Sequence, residues 1–330
     1  MPMPTLIRPP ALRPGNTVAI AALSGGLERA DMEQYQQAVT ELESMGLLVR
    51  AAPLVDVEKV WWWAAAKPAE VARELNDLFR DPEVRAIWAL AGGRFVLSYL
   101  DLLDYDAIAA NPKPVIGMSD IAALNLAIHS RTGLVTFHAD PILYGVSEWR
   151  LLSAPDRARI ADAYRRVLMS PEAAGPLPAL SSWETWRPGR ARGHLLGGML
   201  ARFLRVQATP FALAPGRFDG AILFLEDLNT PTINVWNDLQ VLRQAGVLDR
   251  IAGLLIGPVE TVQVIPEAPQ SLHDVVLDVL GDRDIPVIGN VNLGHAGPNI
   301  PLPLGVRAAI DADARTIELV EASVADGGPG

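Results

Sequence analysis

The chain of 330 residues contains no cysteine, which excludes disulfides and thiolate metal sites and leaves the redox compartment open. It has no Lys/Arg-rich tract and a net charge of −10, so the basic face that a nucleic-acid binder needs is missing and no nucleic-acid partner is expected. No apolar run approaches the roughly 20 residues of a membrane span. The opening stretch, MPMPTLIRPPALRPG, places prolines where a signal peptide needs an apolar segment, and the expectation is a soluble, cytoplasmic protein. Internal repeats and low-complexity tracts are absent. So are G-x-G-x-x-G, a P-loop lysine and H-E-x-x-H. The SGG at 24–26 and the His138-Ala139-Asp140 triplet are therefore weak grounds for a nucleotide cofactor or a metal, and neither is expected.

What is present is a large apolar fraction, 50 %, enough for a sizeable core. Apolar runs such as TVAIAAL (17–23), LLVRAAP, VRAIWAL and KPVIGM alternate with helical patterns at 30–46, 67–82, in FVLSYLDLL and in DIAALNLAIHSRTG. Continuous apolar strands spaced by helices predict a parallel sheet covered on both faces. A charged helix follows, and then a stretch rich in Pro, Gly and Trp. The second unit opens on GAILFLED, continues through IAGLLIGPV and IPVIGNV, and closes on a hairpin in RAAIDADARTIELVE; the tail ADGGPG reads as frayed. The expected organisation is an α/β N-terminal domain over 1–165, a linker over 166–190 and a smaller α/β C-terminal domain over 191–330.

In open α/β sheets ligands sit beyond the carboxyl ends of the strands. Gly92-Gly93, Ser119, Glu226 and His295 occupy such ends. Ser119, in VIGMSD, stands at a sharp strand-to-helix turn, where it either caps the helix or is lifted out as a nucleophile beside the first helical N–H groups. The sequence is not G-x-S-x-G. Of the five histidines, His129 fits a helix C-terminus, His273 a solvated face, and His194 a cleft wall. His295, in a loop crowded with glycine and proline, leads as a base, with His138 second. A carboxylate should orient the imidazole; Glu226 leads, with Asp120, Asp227 and Asp238 as competitors. Gly93 could lend its N–H to an oxyanion, or merely make a tight turn. Trp61-Trp62-Trp63 reads as core, a dimer contact or the lip of a pocket.

Taken together, LRPGNTVAI, ARELNDLFRDPEVRAIWALAGG, the run from YLDLLDYDAIAANPKPVIGMSD to LVTFH, GHLLGGMLARFL, LFLEDLN and GHAGPNIPLPLG resemble the serine peptidase family of LD-carboxypeptidases and microcin C immunity proteins. The resemblance spans nearly the whole chain. It implies Ser119 as nucleophile, Glu226 as carboxylate and His295 as base, with the N–H groups of Gly93 and Asp120 as oxyanion donors. It also implies an interdomain cleft, a homodimer, and a small peptide or aminoacyl-conjugate substrate. The family pattern departs at three places. Ala91-Gly92-Gly93-Arg94-Phe95 replaces Arg before and Tyr-Gly after the double glycine, Met118 replaces a Tyr, and His138-Ala139-Asp140 replaces HGP. Arg94 could then bind a substrate carboxylate, and Trp183 and Trp186 match the aromatic loop of the immunity branch. The expected activity is amide hydrolysis, LD-carboxypeptidase action on murein peptides first and hydrolysis of aminoacyl-nucleotide conjugates second. The rival from another class is a non-catalytic two-domain small-molecule binder.

Overall fold

The apolar runs near the start form adjacent parallel strands, Thr17–Ala21 and Val84–Ala89, whose side chains are almost wholly buried. They lie in the first of two sheets in the computed structural model, which describes residues 5–55, 61–260 and 270–327. That sheet has the order Leu302–Pro303, Phe137–His138, Val115–Ile116, Val84–Ala89, Thr17–Ala21, Leu48–Ala51. All pairings are parallel except that of Leu302–Pro303, which runs antiparallel to Phe137–His138. Parallel neighbours need crossovers, and the helices Met32–Ser44, Pro68–Arg80 and Ile121–Thr132 supply them.

Two local expectations are corrected. FVLSYLDLL is not a helix but two single 3-10 turns, Val96–Ser98 and Leu100–Leu102. The N–H groups of Phe95 and Val96 donate to the Asp120 carboxylate, which fixes the chain before a helix can start. The strand in KPVIGM is only Val115–Ile116, because Gly117 begins the turn into the next helix.

The second sheet has the order Gly175–Pro176, Thr316–Leu319, Arg307–Asp311, Arg190–Met199, Ile222–Leu228, Gly253–Glu260, Val287–Gly289, Glu184–Arg187. The four strands from Arg190–Met199 to Val287–Gly289 are parallel, and antiparallel strands flank them on both sides. The stretch expected as a linker, 166–190, supplies both edge strands of this sheet. The closing hairpin is present. Ala325 is not frayed: its N–H donates to the Pro9 carbonyl and its carbonyl accepts from Ala11. Residues 328–330 lie outside the described residues.

The chain crosses between the two halves more than once. Leu302–Pro303 returns to the first sheet, and the helix Ala154–Met169 packs against it through Tyr164, stacked on Trp88 at 5.8 Å and edge-on to Trp149. The Tyr164 hydroxyl accepts the Asp140 N–H at 2.7 Å. Tyr164→Phe keeps this ring packing but leaves a buried N–H without its acceptor. A loss of about 1–3 kcal/mol is expected, read as a lower urea midpoint.

Candidate active site

Ser119 follows the strand Val115–Ile116 and precedes the helix Ile121–Thr132, with φ at +61°. Left-handed backbone at a non-glycine residue is strained by about 1–2 kcal/mol, and here the strain lifts the side chain clear of the sheet. The neighbouring strand end makes room. A Cβ on Gly92 would lie 2.7 Å from Ser119 Cβ, closer than packing allows. The backbone N–H groups of Gly93 and Asp120 flank the same corner, and neither has an acceptor among the described residues.

Asp120 does not cap the helix with its side chain. Its carboxylate turns back and accepts from Ser24 Oγ (2.8 Å), Phe95 N (2.5 Å) and Val96 N (2.9 Å). Arg202 Nε completes the set at 2.6 Å, with both side chains almost wholly buried. Arg202 Nη2 also donates to the Gly93 carbonyl at 3.1 Å. The SGG turn serves the same loop, since Gly25 N–H donates to the Gly92 carbonyl. Arg202 went unremarked in the sequence; the available signal was a guanidinium set among Leu200, Phe203 and Val206 in a helix buried on that side.

Glu226 lies inside the strand Ile222–Leu228, fully buried, and pairs in register with Met199 at the end of Arg190–Met199. Its Oε2 is 2.8 Å from Nδ1 of His295. Met199 joins this pair to the elbow, because its Sδ lies 4.0 Å from Ser119 Oγ. The His295 loop is tied to the elbow a second time. Four residues on, Asn299 Nδ2 donates to Asp140 Oδ1 (2.6 Å) and lies 3.2 Å from Met118 Sδ. Burial pushes the Asp140 carboxyl up to about 6 against the hydrogen bonds from Trp149 and Asn299. Ser119, Gly93, Arg94, Met199, Arg205 and Asp227 are among the residues lining a cavity of about 420 Å³.

The competing carboxylates have other occupations. Asp227 accepts from Ala201 N–H at 3.0 Å at the start of the helix Leu200–Gln207. Burial raises both Asp227 and Asp238 above the usual carboxylate range. His129 is not an exposed helix-end cation: it is buried, Nδ1 lies 3.0 Å from the Leu134 carbonyl, and burial with Arg217 nearby lowers it to about 3. His194 meets the Arg217 carbonyl at 2.7 Å. His138 is buried against Phe224, and its ring nitrogens have no hydrogen-bond partner among the described residues. Burial lowers it to about 4, with the Glu226 charge acting the other way. With Asp140 committed to Trp149 and Asn299, His138 and Asp140 do not converge on a metal. No group of three potential ligands occurs among the described residues.

Trp183 and Trp186 are both buried. The Trp183 indole N–H donates to Asn292 (2.8 Å), that of Trp186 to Glu184 (2.8 Å), and the Trp186 ring covers Gly289. Neither is among the residues lining the Ser119 cavity, and packing accounts for both. Arg94 is exposed and lines that cavity. Among the described residues no helix is long and apolar enough to cross a membrane.

The family models for the LD-carboxypeptidase N-terminal and C-terminal domains match residues 18–139 and 192–310. The chain belongs to the LD-carboxypeptidase family. A Bacillus subtilis relative named "probable murein peptide carboxypeptidase" is 30 % identical over 325 residues, covering 97 % of this chain and 96 % of its own. The microcin C7 self-immunity protein MccF of Escherichia coli is 27 % identical over 343 aligned positions, 96 % of each chain. A solved structure of MccF with aspartyl sulfamoyl adenosine has the same fold: TM-score 0.84 at 23 % identity, over 97 % of this chain and 100 % of that one. The first of the two domain matches contains Ser119, and the second contains Glu226 and His295.

Arg202→Met leaves Asp120 buried without its cation, and a loss of about 3–5 kcal/mol in urea unfolding is expected. Adding Asp120→Asn should return part of it, as a double-mutant cycle reads. His138 gives a pH signature. Its folded-state pKa of about 4 lies below the usual 6.5, so its neutral form contributes stability above about pH 6.5 that is lost as pH falls towards 4. His138→Asn should flatten the stability slope in that window by at most about 1.4 kcal/mol per pH unit. An unchanged slope would contradict a buried neutral imidazole.

Proposed function

We propose that this protein hydrolyses an amide bond through an acyl-enzyme on Ser119. The observation that carries the reading is the hydrogen bond between buried Glu226 and half-buried His295, joined to the strained Ser119 elbow through Met199. Nδ1 of His295 is engaged by Glu226, which favours the tautomer with its proton on Nδ1 and its basic lone pair on Nε2. Nε2 takes the Ser119 proton as Oγ attacks the carbonyl carbon. The resulting imidazolium is stabilised by the Glu226 carboxylate, and it returns the proton to the leaving amine. The N–H groups of Gly93 and Asp120, free of protein acceptors, receive the oxyanion, with the positive end of the helix Ile121–Thr132 behind them. Water then repeats the sequence on the ester.

Murein peptides are the first substrate class, by likeness to the Bacillus relative. Aminoacyl-nucleotide conjugates are the second, by likeness to MccF, whose solved complex holds an aspartyl sulfamoyl adenosine. A catalytic role explains the buried Glu226–His295 pair better than a binding-only role, because a binder has no need of an oriented base beside a strained serine.

Ser119→Ala should fold normally and lose at least about a thousandfold in kcat/KM on whichever amide the wild type cleaves. Glu226→Gln keeps the shape but not the charge, and a fall in kcat of about 10²–10⁴ is expected. Release of the terminal residue from a murein tetrapeptide, followed by chromatography, is the direct assay. Substantial turnover by Ser119→Ala would remove the nucleophile assignment.

A further inference from the structure

Beside the Ser119 cavity lies a second one of about 340 Å³, and Arg94, Arg202 and Arg205 line both. Its other wall is aromatic, with Trp61, Trp63 and Phe95. Trp61 stacks on Trp62 (4.3 Å between centroids, planes 21° apart) and meets Phe95 edge-on at 5.6 Å. Trp63 lies 5.2 Å from Trp62, and its indole N–H donates to the Arg94 carbonyl at 3.2 Å. The cluster is therefore fastened to the loop that carries Gly93.

Despite this fastening the indoles are not core. Trp62 is 70 % exposed and Trp63 51 %, values that set them apart from the buried Trp88, Trp149, Trp183 and Trp186. Contiguous exposed aromatic surface beside a cleft marks a binding site. The charges at the seam say what kind. Arg202 is committed to Asp120. Arg94 and Arg205 are exposed, and neither forms a salt bridge among the described residues. In a chain of net charge −10, two guanidinium groups without a salt-bridge partner at the mouth of a cavity favour an anionic ligand. Guanidinium binds phosphate and carboxylate in a fork, and an indole face takes a flat ring.

We propose that Trp61, Trp62, Trp63, Arg94 and Arg205 form a substrate subsite, continuous with the Ser119 cavity, that holds a planar aromatic ring linked to an anionic group. A nucleoside monophosphate unit has this chemistry. The proposal rests on the hydrolase reading above and narrows it: of the two substrate classes, the aminoacyl-nucleotide conjugate is the one this subsite fits. The ring would lie against the open face of Trp62 or Trp63, and the anion between Arg94 and Arg205 at the passage to Ser119.

Adenosine monophosphate is the probe, titrated calorimetrically into the full-length Ser119→Ala protein, so that binding is read without turnover. Binding is expected. Adding Trp62→Ala should weaken it about tenfold or more, Trp62→Phe should restore most of the loss, and Arg94→Gln should weaken it by a similar factor. Adenosine without its phosphate should bind less tightly and be indifferent to Arg94→Gln. In the Ser119 background, Trp62→Ala should raise KM for an aspartyl-adenylate amide and leave the KM of a ring-free murein tetrapeptide unchanged. Absent binding of adenosine monophosphate, or an affinity unmoved by Trp62→Ala and Arg94→Gln, overturns the subsite. So does an equal loss on both substrates, which would make Trp62 structural. Loss of an oligomer in Trp62→Ala by size-exclusion chromatography, with unchanged nucleotide affinity, would assign the exposed indoles to a contact between copies and also overturns it. If the wild type cleaves neither substrate, the hydrolase reading fails, and the binding arm still decides the subsite.

Discussion

One carboxylate, that of Asp120, holds the two halves of this protein in register. It collects a hydroxyl from Ser24 after the first strand, two backbone N–H groups from the loop after Val84–Ala89, and the guanidinium of Arg202 from the second half. Four donors converge on one buried anion, so the penalty for removing it from water is met by hydrogen bonds from every side. A buried pair of this kind adds little net stability, yet breaking it on one side is expensive. Its consequence is geometric. The Gly93 loop cannot drift from the Ser119 elbow, and the helix Leu200–Gln207 cannot slide away from either.

The second constraint acts on the loop of His295. His295 sits in a loop that would wander without anchors, since Gly294 and Gly297 flank it. Glu226 holds the imidazole, and Asn299 fastens the same loop to Asp140 and Met118. Asp140 in turn is held by Trp149 and, through its N–H, by Tyr164. A helix remote from the cavity thereby determines where the proposed base can lie. Met199 links the two constraints, paired in register with Glu226 and with its Sδ 4.0 Å from Ser119 Oγ.

The centre of the site and its rim differ in exposure. At the centre the Asp120 carboxylate collects four donors, while the buried His138 ring nitrogens, Glu226 Oε1 and Asn299 Oδ1 have no hydrogen-bond partner among the described residues. At the rim, Arg94, Arg205, Trp62 and Trp63 are exposed; Trp62 stacks on Trp61, and the Trp63 indole N–H donates to the Arg94 carbonyl. An exposed rim beside a positioned centre separates the selectivity of a site from its chemistry.

How much of this could be read in the chain follows from the range of each interaction. The parallel α/β order, the helices at 32–44, 68–80 and 121–132, and the strand-to-helix corner at Ser119 are local consequences of apolar periodicity and turn chemistry. They were legible. The acid at the end of AILFLED and the histidine of the glycine-rich loop do pair, at 2.8 Å. The occupation of each polar side chain was not legible. Asp120 reads as a rival to Glu226 and is an ion-pair hub; His129 reads as a helix-end cation and is a buried ring held low by burial. Trp183 and Trp186 match an aromatic loop and are packed, while of the tryptophan triplet, ambiguous in sequence, Trp61 packs against the core and Trp62 and Trp63 are exposed. FVLSYLDLL has a helical pattern that two hydrogen bonds to a distant carboxylate override. Residue order settles which segments become strands and helices, because that depends on neighbours a few positions away. Only the assembled chain settles which donor meets which acceptor, because Asp120 and Arg202, or Glu226 and His295, are 82 and 69 positions apart and become partners through folding alone.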